Sequence, residues 1–267
     1  KKNQSIITGR PFRSPHHTVS AIALAGGGTI PKPGEISLSH NGVLFLDELP
    51  EFNRNALEVM RQPLEDREVT IARIHGKYVY PAGFMLVAAR NPCPCGMYPD
   101  LNKCTCSYRQ IRQYNAKISR PLLDRIDINV NVQKVAYEDL LGTKKAETSA
   151  QIRKRVLAAQ KIQRERYRSE SFHFNSQLDG RRTQKYIKLG SAEEAMIRDV
   201  FEETDLSARG YNRVLKIART IADLDGSPEI REIHLKEALF FRYQNLLEDG
   251  ETGRNRSYGK GAFGYGS

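Results

Sequence analysis

Two carboxylates, Asp47 and Glu48, stand side by side directly behind four apolar residues, Val43 to Leu46. A run of that length fits a buried strand. Ligands of open α/β sheets bind at the carboxyl ends of strands. An acidic pair in that place can hold a magnesium ion through one group and position a water with the other. This is the Walker B form of a nucleoside triphosphatase. A plain strand running into an acidic turn has the same form, so the pair alone leaves both readings open.

A second cluster holds all four cysteines of the chain, Cys93, Cys95, Cys104 and Cys106. Two close thiolate pairs can enclose a tetrahedral zinc, and closed four-cysteine coordination leaves no catalytic position. Clustering of this kind favours a metal over disulfides. The Cys-x-Cys pairs are tighter than the usual Cys-x-x-Cys spacing, and free thiols or a redox pair are the alternatives. Asn91 lies just ahead of the cluster. His16 and His17 are adjacent in a proline-containing loop, where sequence neighbours seldom converge on one ion. Gly26-Gly27-Gly28 is not followed by Gly-Lys-Ser/Thr, so it is not a P-loop.

The elements that would position these groups come from periodicity. The chain has 267 residues, 39% of them hydrophobic, enough for one large or two modest domains. A short helix is expected at 18–25, and a helix from an Asn53 cap with Leu57, Met60 and Leu64 on one face. Residues 69–80 alternate as a β-hairpin turning at His75-Gly76. Residues 84–89 read as a second buried strand ending at Arg90-Asn91. A helix follows at 107–118, and Ile126 to Val132 alternates as a strand. Helices are expected at 149–168, with Ile152, Val156, Ala159 and Ile162 inward, and at 191–203, 207–224 and 233–247. Ser191 and Glu194 have capping-box spacing. The tail, rich in Gly, Arg and Tyr, is expected to be disordered. A net charge of +11 favours a polyanionic partner, with solvated basic faces as the plain alternative. No apolar stretch reaches membrane-spanning length and no secretory signal is visible, so a cytoplasmic location is expected. The chain opens on Lys1-Lys2 without an initiator methionine, and a fragment is expected.

The order of the motifs resembles the magnesium-chelatase-like AAA+ family, in its ComM (YifB-like) competence-protein branch. The resemblance covers about residues 9–245. It rests on Gly9-Arg-Pro-Phe-Arg-Ser-Pro-His-His-Thr18, the stretch Pro33 to Phe52, Asn91-Pro-Cys-Pro-Cys-Gly96, Pro121-Leu-Leu-Asp-Arg-Ile-Asp127 and Ala218-Arg-Thr-Ile-Ala-Asp-Leu224. It implies an α/β fold: a AAA+ P-loop NTPase core, truncated before its Walker A loop, with a parallel sheet in the order 5-1-4-3-2. An all-α lid would follow. The core would span 1–136, with a helix-2 insertion at about 14–36, a presensor-1 hairpin at about 68–80 and the cysteine loop at 93–106. The lid would span 137–248 and the tail 249–267.

The resemblance also implies roles. Asp47 would coordinate magnesium, Glu48 would activate water and Asn91 would be sensor 1. Arg125 would be an arginine finger acting in trans, and Arg213 sensor 2, with Arg209 second. Arg73, His75 and Lys77 near the hairpin tip would contact DNA phosphates. The implied protein is an ATP-driven ring, hexameric, with ATP and Mg2+ as cofactors and a structural Zn2+. It would be a helicase-type motor driving branch migration on branched or single-stranded DNA during homologous recombination and natural transformation. A magnesium chelatase ATPase subunit and a noncatalytic DNA-binding remnant are the rivals. The family's Walker A loop, Gly-x-x-x-x-Gly-Lys-Ser/Thr, is absent, and these residues alone are expected not to hydrolyse ATP efficiently.

Overall fold

The computed structural model describes residues 9–74, 76–132, 135, 147–204 and 206–248, with side chains up to 242 in the last helix. His75 and the expected tail at 249–267 lie outside these residues. The chain divides into two compact units, 1–126 and 127–267.

The first unit is built on three parallel strands, β1 (Phe12–Arg13), β4 (Val43–Leu46) and β7 (Met85–Ala88), in the order β1-β4-β7. The register pairs Phe12 with Val43 and Val43 with Met85. This is the 2-3-4 portion of the expected 5-1-4-3-2 sheet, with the acidic pair behind its central strand. Along β4 the side chains alternate, and Leu44 and Leu46 are fully buried. Each contributes about 1.5–3 kcal/mol to the core. Gly42 opens the strand because a Cβ there would come within 1.9 Å of the Pro11 carbonyl oxygen.

Between β1 and β4 lie α1 (Ala21–Ala25), the strands β2 (Gly26–Gly27) and β3 (Lys32–Pro33), and α2 (Glu35–Leu38). Ser20 caps α1 by accepting the Ala23 N–H. Gly26 and Gly27, rejected above as part of a P-loop, form β2 of the antiparallel β2–β3 hairpin. Gly26 sits at φ 103°, where a Cβ would meet the Lys32 carbonyl oxygen at 2.5 Å.

The helix expected from Asn53 forms as two pieces, α3 (Arg54–Glu58) and α4 (Arg61–Asp66). Pro63 explains the break: it has no N–H, and its ring clashes with the carbonyl of Val59 in a continuous helix. Asn53 caps α3, accepting the Asn55 N–H. The expected hairpin is present as β5 (Glu68–Arg73) and β6 (Gly76–Pro81), fully paired from Glu68–Pro81 to Arg73–Gly76. Two short helices complete this unit, α5 (Tyr108–Asn115), with a Ser107–Gln110 capping box, and α6 (Arg120–Leu123).

The second unit is helical: α7 (Ser149–Arg166), α8 (Gly180–Tyr186), α9 (Ser191–Glu203), α10 (Ala208–Leu224) and α11 (Glu232–Glu248). Its core gathers Tyr167, Phe172, Val214, Ala218, Leu235 and Leu239 among others. Asp223 is fully buried beneath it. Its carboxylate accepts from Arg166 at 2.5 and 2.9 Å, from Arg219 at 3.1 Å and from Asn175 at 2.9 Å. Among the described residues, no helix is long and apolar enough to cross a membrane.

Four local expectations are corrected. Ile126 to Val132 forms no strand, and Ile128, Val130 and Val132 are exposed. In the 5-1-4-3-2 order that strand pairs with strand 1, which none of the described residues supplies. Instead the Asn129 N–H donates to the Phe241 carbonyl at 3.1 Å. For the same reason β7 is not buried: Met85 is 63% exposed on this edge strand. Along α7 only Ala159 of the expected inward set is buried, and Ile152, Val156 and Ile162 stay exposed. Packing on this helix uses Ala159 and Gln163, with Tyr167 just beyond its end. Finally, Ser191 is the first residue of α9 rather than its cap. Gly190 takes the cap position without a side-chain bond.

Candidate nucleotide-hydrolysis site and cysteine loop

Three chain segments leave the carboxyl ends of the parallel strands together. After β4 come Asp47 and Glu48. After β7 come Ala89, Arg90 and Asn91, and after β1 the loop reaches His16 and His17. The first two are joined by ladder bonds that continue past the strands: the Ala89 N–H donates to the Leu46 carbonyl and the Leu49 N–H to the Ala89 carbonyl, both at 2.9 Å.

Glu48 occupies the left-handed region at φ 52°, ψ 47°, which a side chain with a Cβ enters at a cost of roughly 1–2 kcal/mol. The Asp47 carboxylate accepts the Glu48 N–H at 2.9 Å, which fixes the turn. Glu48 then approaches His17, with Oε2 3.3 Å from the ring Nδ1. His17 stacks on His16 at 4.0 Å between centroids and meets the edge of the buried Phe52. Tyr114 of α5 lies near the same carboxylates. Burial pushes its hydroxyl pKa up, and Glu51 and Glu48 add to the shift. Lys117 pairs with Glu51 at 3.2 Å and lies over the Tyr114 ring. No sequence spacing ties His17 or Tyr114 to these carboxylates; the adjacency of His16 and His17 is the one signal in the sequence, and it suggests a metal rather than this contact.

Asn91 is exposed and lies against the cysteine loop: a Cβ at Gly96 would sit 3.8 Å from its Cγ. In that loop the four sulfurs gather within 4.8 Å of one another. Cys93–Cys95, Cys95–Cys104 and Cys93–Cys104 are 3.4, 3.6 and 3.8 Å apart. A tetrahedron with metal–sulfur bonds of about 2.3 Å has edges of about 3.8 Å, so the donor set fits a tetrahedral zinc. Backbone N–H groups of Met97 and Thr105 bring the Cys95 thiol down to about 6. At Cys104 a bond from the Cys106 N–H opposes burial and the sulfurs of Cys95 and Cys93, which win and push it up to about 12. Four sulfurs drawn this close offer the soft donor set that a zinc-type cation prefers.

Arg125 is tied into its own unit. It pairs with Glu65 at 2.9 Å, and donates to the carbonyls of Arg61 at 3.1 Å and Pro121 at 2.5 Å, leaving 11% of its side chain exposed. Arg73 donates to the carbonyls of Ala72 and Gly28, and Lys77 is exposed. In the second unit Arg209 and Arg213 lie on the first turns of α10. Arg209 is exposed, and Arg213 faces Asp127 at 3.5 Å.

A parallel sheet with an acidic pair behind its central strand, a polar residue behind the neighbouring strand and a helical second unit defines a AAA+ core with its helical C-terminal domain. The chain belongs to the magnesium chelatase family: residues 1–140 match magnesium chelatase subunit ChlI, and residues 146–242 match the ChlI C-terminal family. It is 47% identical over 234 residues to competence protein ComM of Haemophilus influenzae, covering 87% of this chain and 45% of that protein. It is 44% identical over 234 residues to the uncharacterized protein YifB of Escherichia coli, with the same coverage of each chain. To the uncharacterized protein Rv2897c of Mycobacterium tuberculosis it is 40% identical over 240 residues, or 89% and 47% of the two chains. The chain thus spans less than half the length of these relatives.

Proposed function

We propose that this chain forms the Walker B, sensor and lid portion of an ATP-driven motor that acts on DNA. The observation that carries the reading is the placement of Asp47 and Glu48 at the carboxyl end of the central parallel strand, with Asn91 behind the next. The name of the Haemophilus relative, a competence protein, supports DNA as the substrate. The +11 charge and the exposed basic hairpin tip support it as well. The working assembly is a homohexameric ring, and the work is branch migration of branched DNA during recombination and transformation. Residues 14–36 act as the helix-2 insertion, 68–80 as the presensor-1 hairpin and 137–248 as the lid.

In this reading Asp47 is the carboxylate that holds Mg2+, whose chemistry is to neutralise phosphate charge. Glu48 orients the attacking water and takes its proton, and Asn91 aligns that water. Arg125 of a neighbouring copy stabilises transition-state charge, which requires it to leave Glu65. Arg213, with Arg209 second, reaches the nucleotide from the lid. Arg73, His75 and Lys77 hold DNA phosphates. Cys93, Cys95, Cys104 and Cys106 hold a structural Zn2+ that braces Asn91.

Phosphate release by the full-length protein, with and without forked DNA, tests the reading. DNA-stimulated turnover supports the motor, and turnover indifferent to DNA points to a chelatase-type ATPase. The latter reading is favoured by the family match but has no use for the basic charge or the cysteine loop. No turnover leaves a DNA-binding remnant. No Gly-x-x-x-x-Gly-Lys-Ser/Thr occurs in the 267 residues, so this chain by itself is expected to release phosphate at background. Robust magnesium-dependent turnover by it would overturn that expectation.

A further inference from the structure

Two loop tips stand side by side on the first unit, and each carries an exposed isoleucine. The β5–β6 hairpin closes at the Arg73–Gly76 pair, and Ile74 in its loop is 97% exposed. The β2–β3 hairpin closes at the Gly27–Lys32 pair, and Ile30 in its loop is 75% exposed. The hairpins are tied to each other. Arg73 Nε donates to the Gly28 carbonyl at 3.4 Å, and the Tyr80 hydroxyl to the Pro31 carbonyl at 2.9 Å. A Cβ at Gly26 would come within 3.2 Å of Ile71 Cδ1, and one at Gly27 within 3.2 Å of Arg73 Nη2. Ile30 is thus flanked on both sides by backbone bonded to the neighbouring hairpin, and its loop is held.

One exposed isoleucine is ordinary. Two on adjacent tips are not what turn chemistry asks for, since Gly, Asn, Asp and Ser fill such loops by preference. Their surroundings are basic throughout. Lys32, Arg73 and Lys77 are exposed, and residues 14–34 and 69–84 contain no Asp or Glu. Cations of that kind draw a polyanion, but an isoleucine adds nothing to a phosphate. What an apolar tip can cover is the face of a nucleobase. In a duplex those faces are stacked on one another, so the contact is open only where a strand is unpaired or a base step is parted.

Resting on the DNA-motor reading above, we propose that Ile30 and Ile74 form a two-pronged contact for the faces of unpaired bases, while Lys32, Arg73 and Lys77 hold the phosphates beside them. The cations bind duplex and single strand alike. The apolar prongs select the single-stranded segment of a branched DNA. They read no sequence, because every base offers a flat face.

The test measures fluorescence anisotropy of three labelled probes with the full-length protein: a single strand, an abasic strand of the same length and a blunt duplex. With Ile30→Ser and Ile74→Ser combined, affinity for the single strand is expected to fall about five- to tenfold, as for partial covering of two isoleucines. Affinity for the abasic strand and the duplex stays unchanged. So does the slope of log K against log salt, which counts phosphates. Ile30→Leu with Ile74→Leu keeps the apolar area and is expected to keep the single-strand affinity. Neither isoleucine joins the buried core, so the melting temperature of both variants is expected to hold. An unchanged single-strand affinity in the serine variant, or an equal fall on all three probes, overturns the base contact. Dissociation of the assembly in that variant, read by sedimentation, overturns it too and makes the tips a contact between copies. Failure of the unsubstituted protein to bind any probe overturns the DNA reading itself, whereas full binding by both proteins removes only the prongs.

Discussion

Glu48 and Asp47 differ by one position and by everything around them. Asp47 turns its carboxylate back on the Glu48 N–H, while Glu48 projects from a left-handed residue toward His17. Glu48→Gln keeps the shape and removes the basicity. In the full-length protein it is expected to lower kcat by about 10²–10⁴-fold, the usual worth of a positioned general base, with nucleotide binding retained. Steady-state phosphate release beside a nucleotide-binding isotherm checks both halves. Arg125 invites the opposite separation. In this chain it ties α6 to α4 through Glu65 and two carbonyls. As a trans finger, Arg125→Ala cuts kcat far more than it lowers the melting temperature, and mixing it with Glu48→Gln protein restores part of the activity at mixed interfaces. A lower melting temperature with unchanged kcat makes it a structural tie only. Asp223 has no chemistry to lose. Asp223→Ala strands Arg166 and Arg219 in the core and is expected to cost about 3–5 kcal/mol, read from denaturant unfolding of the helical unit.

At the scale of elements, the cysteine loop is the segment whose order depends least on apolar packing. Only Cys93 of residues 91–107 joins the buried residues. A zinc held by the four sulfurs, which lie within 4.8 Å of one another with three of them 3.4–3.8 Å apart, would supply the missing constraint. Protein purified under reducing conditions is expected to carry about one zinc per chain by atomic spectroscopy. Cys104→Ser or a strong chelator is expected to release it, to open residues 97–103 to proteolysis and, because Asn91 lies beside the loop, to lower ATP turnover. Sub-stoichiometric zinc in fresh protein would sink this account. The cysteine spacing was legible in the sequence because local chemistry sets it, as were the 68–81 hairpin and the helices of the second unit, whose periodicity is local too. Elements that depend on distant partners were not. The alternation of Ile126 to Val132 is a true strand pattern with no strand to pair it, and the stripe on α7 is helical but only half covered. Pro63 was in plain view, and its consequence for the helix from Asn53 followed from backbone geometry alone. The contact between His17 and Glu48 joins two strand ends that are far apart in sequence, and no spacing rule announces it.

Over the whole molecule the formal charge of +11 asks where a polyanion would sit. Charge alone does not choose a face, because 42 Lys and Arg side chains are spread along the chain and many pair with carboxylates. The hairpin tip differs from those faces. Ile74 is 97% exposed there, Lys77 is exposed, and among the described residues the Arg73 guanidinium donates to the backbone carbonyls of Ala72 and Gly28, so both charges stand at the surface where phosphates would meet them. Neutralising Z phosphates releases counterions, and log K falls with log salt by about 0.9 per contact on duplex DNA. Lys77→Ala in the full-length protein is therefore expected to make that slope shallower by about one and to weaken all sequences alike. Exchanging an exposed lysine of similar charge on α7, such as Lys154, is expected to leave the slope unchanged if DNA passes over the hairpin. Fluorescence anisotropy of forked DNA across a salt series distinguishes the two surfaces. A slope altered by Lys154→Ala and not by Lys77→Ala would move the DNA path from the hairpin to the long helix.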